Sequence, residues 1–84
     1  MRTLQPLKQP RPVKVEANEL GEPVAVVLGW RRLAAAQVQD VWRIDDEWWR
    51  EEISRMYYRL LLEDGRAATV YHDLLGDRWW GQDY

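Results

Sequence analysis

VWRIDDEWWREEISRMYYRLLLEDGRAATVYHDLLGDRWW, residues 41–80, is the stretch whose reading decides the fold. Two apolar runs, Ile53 to Leu62 and Arg66 to His72, flank Glu63-Asp64-Gly65, and a tryptophan pair stands near each outer end, Trp48-Trp49 and Trp79-Trp80. A Gly that can take positive φ after residues that accept the right-handed helical region is a common short hairpin loop, the Gly forming a bulge. The segment therefore reads as an antiparallel hairpin. Setting Leu62 opposite Arg66 places Leu60 opposite Ala68, Tyr58 opposite Val70 and Met56 opposite His72, one face apolar apart from the histidine. The other face carries Arg55, Tyr57, Arg59 and Leu61 against Ala67, Thr69 and Tyr71, mixed and half wet, and a one-residue slip would exchange the two faces.

A helix competes for the same residues. Ile53, Met56, Tyr57, Leu60 and Leu61 fall at helical spacing, Asp45 and Asp46 could cap the start and Gly65 the end, giving an α+β alternative with a helix at 46–62. The run that follows, AATVYHD, favours the hairpin: it is short, partly β-branched and aromatic, and wants an antiparallel neighbour.

Outward from this stretch, Val13, Val15 and Ala17 alternate with Lys14 and Glu16, the period of a half-buried strand. NELGE supplies turn residues, and PVAVVLG reads as a second, more deeply buried strand with Pro23 at its first position, where a missing N–H is tolerated. RRLAAAQVQD holds good helix formers, but Val38, Trp42 and Ile44 suit a strand, expected from about Ala36 to Ile44. Asp45 to Glu52 then reads as a charged connection, and a last short strand is expected around Arg78 to Gln82 after the Gly76-Asp77 turn. Strands at this spacing predict an all-β domain, a small antiparallel sheet of about five to six strands curled into a barrel or half-barrel over residues 13–84. Residues 1–12, MRTLQPLKQPRP, hold three of the four prolines and no hydrophobic periodicity, and read as a flexible basic lead-in.

With 84 residues the chain has room for one small domain that buries roughly 60 to 65% of its unfolded surface. It has no Cys, so neither disulfides nor a thiolate metal site supplement the core. No apolar run reaches the length of a membrane span and the N-terminus has no signal-peptide core, so a cytoplasmic protein without membrane contact is expected. Its aromatics are six Trp and four Tyr with no Phe, each bringing a polar atom that needs a partner or water. Arg2, Lys8, Arg11 and Lys14 give the first 14 residues four positive charges and no acid, leaving eight basic against 14 acidic residues in the rest. That acidic body argues against broad nucleic-acid binding by the domain.

Asp45, Asp46, Glu47, Glu51 and Glu52 form the densest carboxylate cluster, but they lack the alternating ligand spacing and turn glycine of a cation loop, so a solvated acidic loop, or salt bridges to Arg43, Arg50 and Arg55, is expected. His72 is the only histidine and has no nucleophile beside it in sequence; it reads as a hydrogen-bonded packing residue, and Ser54 is equally unsupported as a nucleophile. With no phosphate loop, dinucleotide glycine pattern or zinc motif, no enzyme, cofactor or metal is expected. In a strand one member of each Trp pair enters the core and the other lies on the surface. An exposed ring beside Arg50 or Arg78 would be a good interface anchor. The candidate partner-binding residues are Trp48, Trp49, Arg50, Arg55, Tyr57, Arg59, Arg78, Trp79 and Trp80.

RPVKVEANELGEPVAVVLGWRR, WRIDDEWWREEISRMYYRLLLEDGRAATVYHDL and the closing GDRWW resemble the C-terminal segment of ImuB-type proteins, catalytically inactive relatives of Y-family polymerases, and small stand-alone bacterial proteins that share it. Pro12-Val13, Glu47, Trp48-Trp49, Tyr57-Tyr58, Gly65 and Trp79-Trp80 occupy the places of that family's pattern. The resemblance implies a non-catalytic accessory module of error-prone lesion-bypass repair, in a setting where an error-prone C-family polymerase and a RecA-like protein are the partners. The polymerase-like body and clamp-binding peptide of such proteins are absent from these residues. A module binding single-stranded nucleic acid through the same rings, with Arg55 and Arg59 on phosphates, is the second expectation. An exposed edge strand would also suit a homodimer.

Overall fold

The computed structural model describes residues 10–48 and 51–83. Seven strands run in chain order: β1 Arg11–Pro12, β2 Lys14–Ala17, β3 Pro23–Leu28, β4 Arg31–Trp48, β5 Glu51–Leu62, β6 Ala67–Asp73 and β7 Arg78–Asp83. They make one antiparallel sheet in the order β1-β7-β6-β5-β4-β3-β2, curled into a half-barrel, with no helix among the described residues. β1 and β2 stand at opposite ends of that order, yet only Val13 separates them in the chain. Val13 donates its N–H to the Trp79 carbonyl at 3.1 Å, so one short segment ties the two ends of the sheet together.

The decisive hairpin forms as the residues dictate. Gly65 sits at φ 92°, a value a side chain would strain, and its N–H donates to the Leu62 carbonyl at 2.9 Å while Leu62 donates to Arg66 at 2.8 Å. Asp64 closes the turn by accepting from the Arg66 amide and pairing with its guanidinium at 3.0 Å. The register is the expected one, with Met56 opposite His72, Tyr58 opposite Val70 and Leu60 opposite Ala68. The strand prevails over the helix because period 2 gathers Tyr58, Leu60 and Leu62 on one face, where they meet Val26, Leu33, Ala68 and Val70 in a single buried cluster. Val13, Leu28, Ala35, Met56 and Trp79 pack around its margin. Fully burying a leucine in such a cluster contributes about 1.5 to 3 kcal/mol.

Two expectations about the middle of the chain are corrected. The strand expected from Ala36 to Ile44 spans Arg31 to Trp48, and the connection expected from Asp45 to Glu52 is mostly strand. Asp45 pairs with Ser54, Asp46 with Ile53, Glu47 with Glu52 and Trp48 with Glu51. A carboxylate does not end a strand when both faces of the ribbon are wet, because the backbone ladder continues without apolar side chains. Here the ladder is reinforced locally, since Asp45 accepts from the Ser54 hydroxyl at 2.7 Å and from Arg43 Nε at 2.7 Å. Bulges between Ala35 and Gln37 and between Val38 and Asp40 mark where β4 leaves the barrel wall for this projecting ribbon. Residues 1–9 of the lead-in lie outside the described residues, and pairing starts at Arg11 and Pro12, which face Gly81 and Trp80.

Candidate functional site

On the outer face of the sheet, register brings together residues far apart in sequence. Trp42 of β4 lies opposite Tyr57 of β5, Tyr57 opposite Tyr71 of β6, and Tyr71 opposite Trp80 of β7, with Pro12 of β1 beyond. The rings form a continuous row: centroids are 5.2 Å apart from Trp42 to Tyr57, 4.9 Å from Tyr57 to Tyr71 and 6.4 Å from Tyr71 to Trp80. Such cross-strand aromatic pairs each stabilise the sheet by about 0.5 to 1.5 kcal/mol beyond their area. Tyr57 and Tyr71 are buried at 9% and 4% exposure although they face away from the core, because neighbours in the row cover them.

Guanidinium groups cap the row. Arg55 lies two residues from Tyr57 on the same strand face; its guanidinium sits 4.6 Å from the centre of the Tyr71 ring and donates to the Tyr57 hydroxyl at 3.2 Å. Arg78 sits 5.5 Å from the Trp80 ring. Burial works against the charge on Arg55, but the Tyr57 hydrogen bond, with Tyr71 and Asp73 nearby, raises its pKa above the ordinary arginine value. Burial likewise pushes the Tyr71 hydroxyl above the usual tyrosine range, so it stays protonated at neutral pH. Pro10, Arg55, Tyr71, Asp73 and Trp80 line a shallow depression of about 410 Å³ at the β1 end of the row.

Of the residues singled out from sequence, the fold brings Arg55, Tyr57, Arg78 and Trp80 into this surface. Arg59 shares the strand face, opposite Thr69 and Asp40, and is exposed. Trp79 does not join them. It turns inward, packs on the core, and stacks with His72 at 4.5 Å and 5°. Trp48 ends β4, six residues beyond Trp42 or about 20 Å at the rise of an extended strand, so it belongs to a different region. Trp49 and Arg50 lie outside the described residues. Sequence reasoning missed Trp42 and Tyr71 as members of the surface; Tyr71 was on the expected outer face, and Trp42 needed the β4–β5 register.

His72, Ser54 and Asp45 have structural partners. His72 Nε2 is 2.8 Å from Asp77 Oδ1, and Asp77 reaches it from a positive φ of 56° that Asp tolerates better than most side chains. Ser54 is buried; its hydroxyl donates to Asp45 at 2.7 Å and accepts from Arg43 at 3.3 Å. Asp45, Asp46, Glu47, Glu52 and Ile53 line a shallow depression of about 460 Å³ on the ribbon, and among the described residues no set of His, Asp or Glu side chains is grouped to hold a metal ion. Hydrogen bonds from Arg43 and then Ser54 hold the Asp45 carboxyl below the usual carboxylate range. No family model, curated protein or solved structure matches this chain.

Proposed function

We propose that this chain is a non-catalytic protein-interaction module that holds its partner on the aromatic row of the outer face. The observation carrying this reading is the row itself, Trp42, Tyr57, Tyr71 and Trp80 aligned across four strands with Arg55 and Arg78 laid on it. Trp, Tyr and Arg are the residues most enriched among interface hot spots, and the half-buried rings of Trp42 and Trp80, held by the buried Tyr57 and Tyr71 between them, lose little entropy when a partner covers them. Stacking on nucleic-acid bases is less well supported. A base needs an open ring face, and here the faces are turned to one another and to guanidinium groups, while the adjoining ribbon is acidic and repels phosphates.

The resemblance of the sequence to the C-terminal segment of ImuB-type proteins suggests the setting: an accessory of bacterial lesion bypass in the cytoplasm, with polymerase or RecA-like components as partners. The test is co-purification of the tagged chain with a RecA-like protein and a C-family error-prone polymerase from the same bacterium. Retention by the wild type and loss in Arg78→Glu/Trp80→Ala, with unchanged circular dichroism, supports both surface and setting. Retention of neither partner removes the setting. Tight binding of a single-stranded oligonucleotide that weakens steeply with salt would favour the nucleic-acid reading instead.

A further inference from the structure

β4 has a long free edge. β3 pairs only with Arg31–Ala34, and from Ala36 to Trp48 no strand among the described residues covers the side of β4 away from β5. Beyond the second bulge, Asp40 to Trp48 pairs with β5 in unbroken register, so its outer rim is regular strand. Val38, Val41 and Ile44 lie 39%, 47% and 40% exposed along it. Native sheets seldom leave such a rim without protection.

The protection present is acidic and movable. Val41 donates its N–H to Asp40 Oδ1 at 2.9 Å, and Glu47 donates to Asp46 Oδ1 at 2.7 Å. These two amides point outward, and each is held only by the carboxylate of the preceding residue. A carbonyl of an added strand could take either amide, and the freed carboxylate would then face the newcomer. Asp40, Asp45, Asp46 and Glu47 against Arg43 leave the rim with three net negative charges.

We propose that the edge of β4 from Asp40 to Trp48 accepts an extended basic segment of a protein partner as an additional strand. Main-chain hydrogen bonds provide the binding, Lys or Arg at alternate positions meets Asp40 and Asp46 on one face of the ribbon, and small apolar side chains between them cover Val41 on the other. Charge selects this occupant over a second copy, whose own β4 rim would bring three more negative charges to the same line. It excludes nucleic acid on the same ground. The site adjoins the aromatic row at Trp42 but uses the rim of the sheet rather than its face, so either can fail alone.

The probe is a nine-residue peptide alternating Lys and Val, with an equal-length Glu–Val peptide as control, titrated into isotopically labelled full chain and followed by amide NMR. Binding of the Lys–Val peptide alone is expected, with slowed exchange centred on Val41 and Glu47. Val41→Pro, which removes an outward amide and no β4–β5 bond, should weaken it at least tenfold. Asp40→Lys/Asp46→Lys, which keeps every backbone group, should abolish it and admit the Glu–Val peptide. Equal binding of both peptides, perturbation confined to the aromatic row, no binding, or a wild-type dimer that Val41→Pro dissociates would each overturn the proposal.

Discussion

Leu60→Ala and Leu61→Ala separate the strand from the helix that the same residues could have formed. In the structure Leu60 is wholly buried between Val38 and Ala68, while Leu61 turns to the opposite face, half-buried opposite Gln37 and Ala67. Truncating a fully enclosed leucine removes its transfer free energy and leaves a cavity, together about 2 to 5 kcal/mol. At Leu61 the side chain is only partly buried and no enclosed void forms, so the loss should be about 1 kcal/mol. Because a domain of this size has a total stability of about 5 to 10 kcal/mol, Leu60→Ala should bring it close to unfolding at ambient temperature. Leu60→Val, which removes one methylene at about 1 kcal/mol, extends the series to a variant that folds securely. The assay is urea unfolding followed by tryptophan fluorescence, comparing midpoints at constant slope. On an amphipathic helix both leucines would share the buried stripe and their truncations would cost alike. Equal losses at the two positions would refute the register on which core and outer row both depend.

Gly65→Ala should destabilise by about 1 to 2 kcal/mol purely through the backbone, since φ is 92° and an added Cβ meets nothing within 4 Å. Gly65→Asn should cost visibly less, and thermal melts of the pair measure the difference. Tyr57→Phe keeps the ring in the row but removes the acceptor of the Arg55 hydrogen bond, for an expected loss of about 1 kcal/mol by urea unfolding. An unchanged midpoint would mean the contact is spent in water. The Asp45 carboxyl has its pKa lowered by Arg43 and Ser54, so its contribution is complete above the unfolded-state value near 4 and drains as pH falls through the lower folded value. Asp45→Asn should therefore flatten the acid limb of the stability–pH curve and leave the neutral region parallel to wild type.

The elements that were legible in the sequence are those whose signal is local. Glu63-Asp64-Gly65 specifies a turn by itself, and once it is fixed the pairing of Tyr58 with Val70 and Leu60 with Ala68 follows by counting. Pro23 at a strand start and NELGE as a turn are equally short-range, and the Asn18 side chain indeed accepts from the Leu20 and Glu22 amides at 2.9 Å each. The ribbon from Asp45 to Glu52 was not legible, because solvated carboxylates carry no hydrophobic period and a ladder written in backbone hydrogen bonds has no residue code. The aromatic row was half legible. Tyr57, Arg55 and Trp80 stand out by type, but their alignment with Trp42 and Tyr71 needs three strand registers at once, one of them shifted by two bulges.

β4 thus does two jobs with one strand, and the energetics of its two halves differ. Its first part pairs with β3 from Arg31 to Ala34, passes to β5 at Ala35, and contributes Leu33 and Ala35 to the core and its margin. Its distal part touches only β5, and β5 in turn loses its other neighbour beyond Arg55, the last residue paired with Asp73. From Ile53 outward the ribbon is two strands wide, a width that is marginal in water on its own. Its local reinforcement is the hydrogen-bonded group in which exposed Arg43 and Asp45 meet the buried Ser54 hydroxyl. Opening there should therefore cost far less than global unfolding, giving hydrogen exchange that is slow at Tyr58 and Leu60 and fast at Glu52 and Ile53. A strand added along the rim would widen the ribbon to three where it is weakest, so partner binding and ordering of the distal ribbon should be the same event.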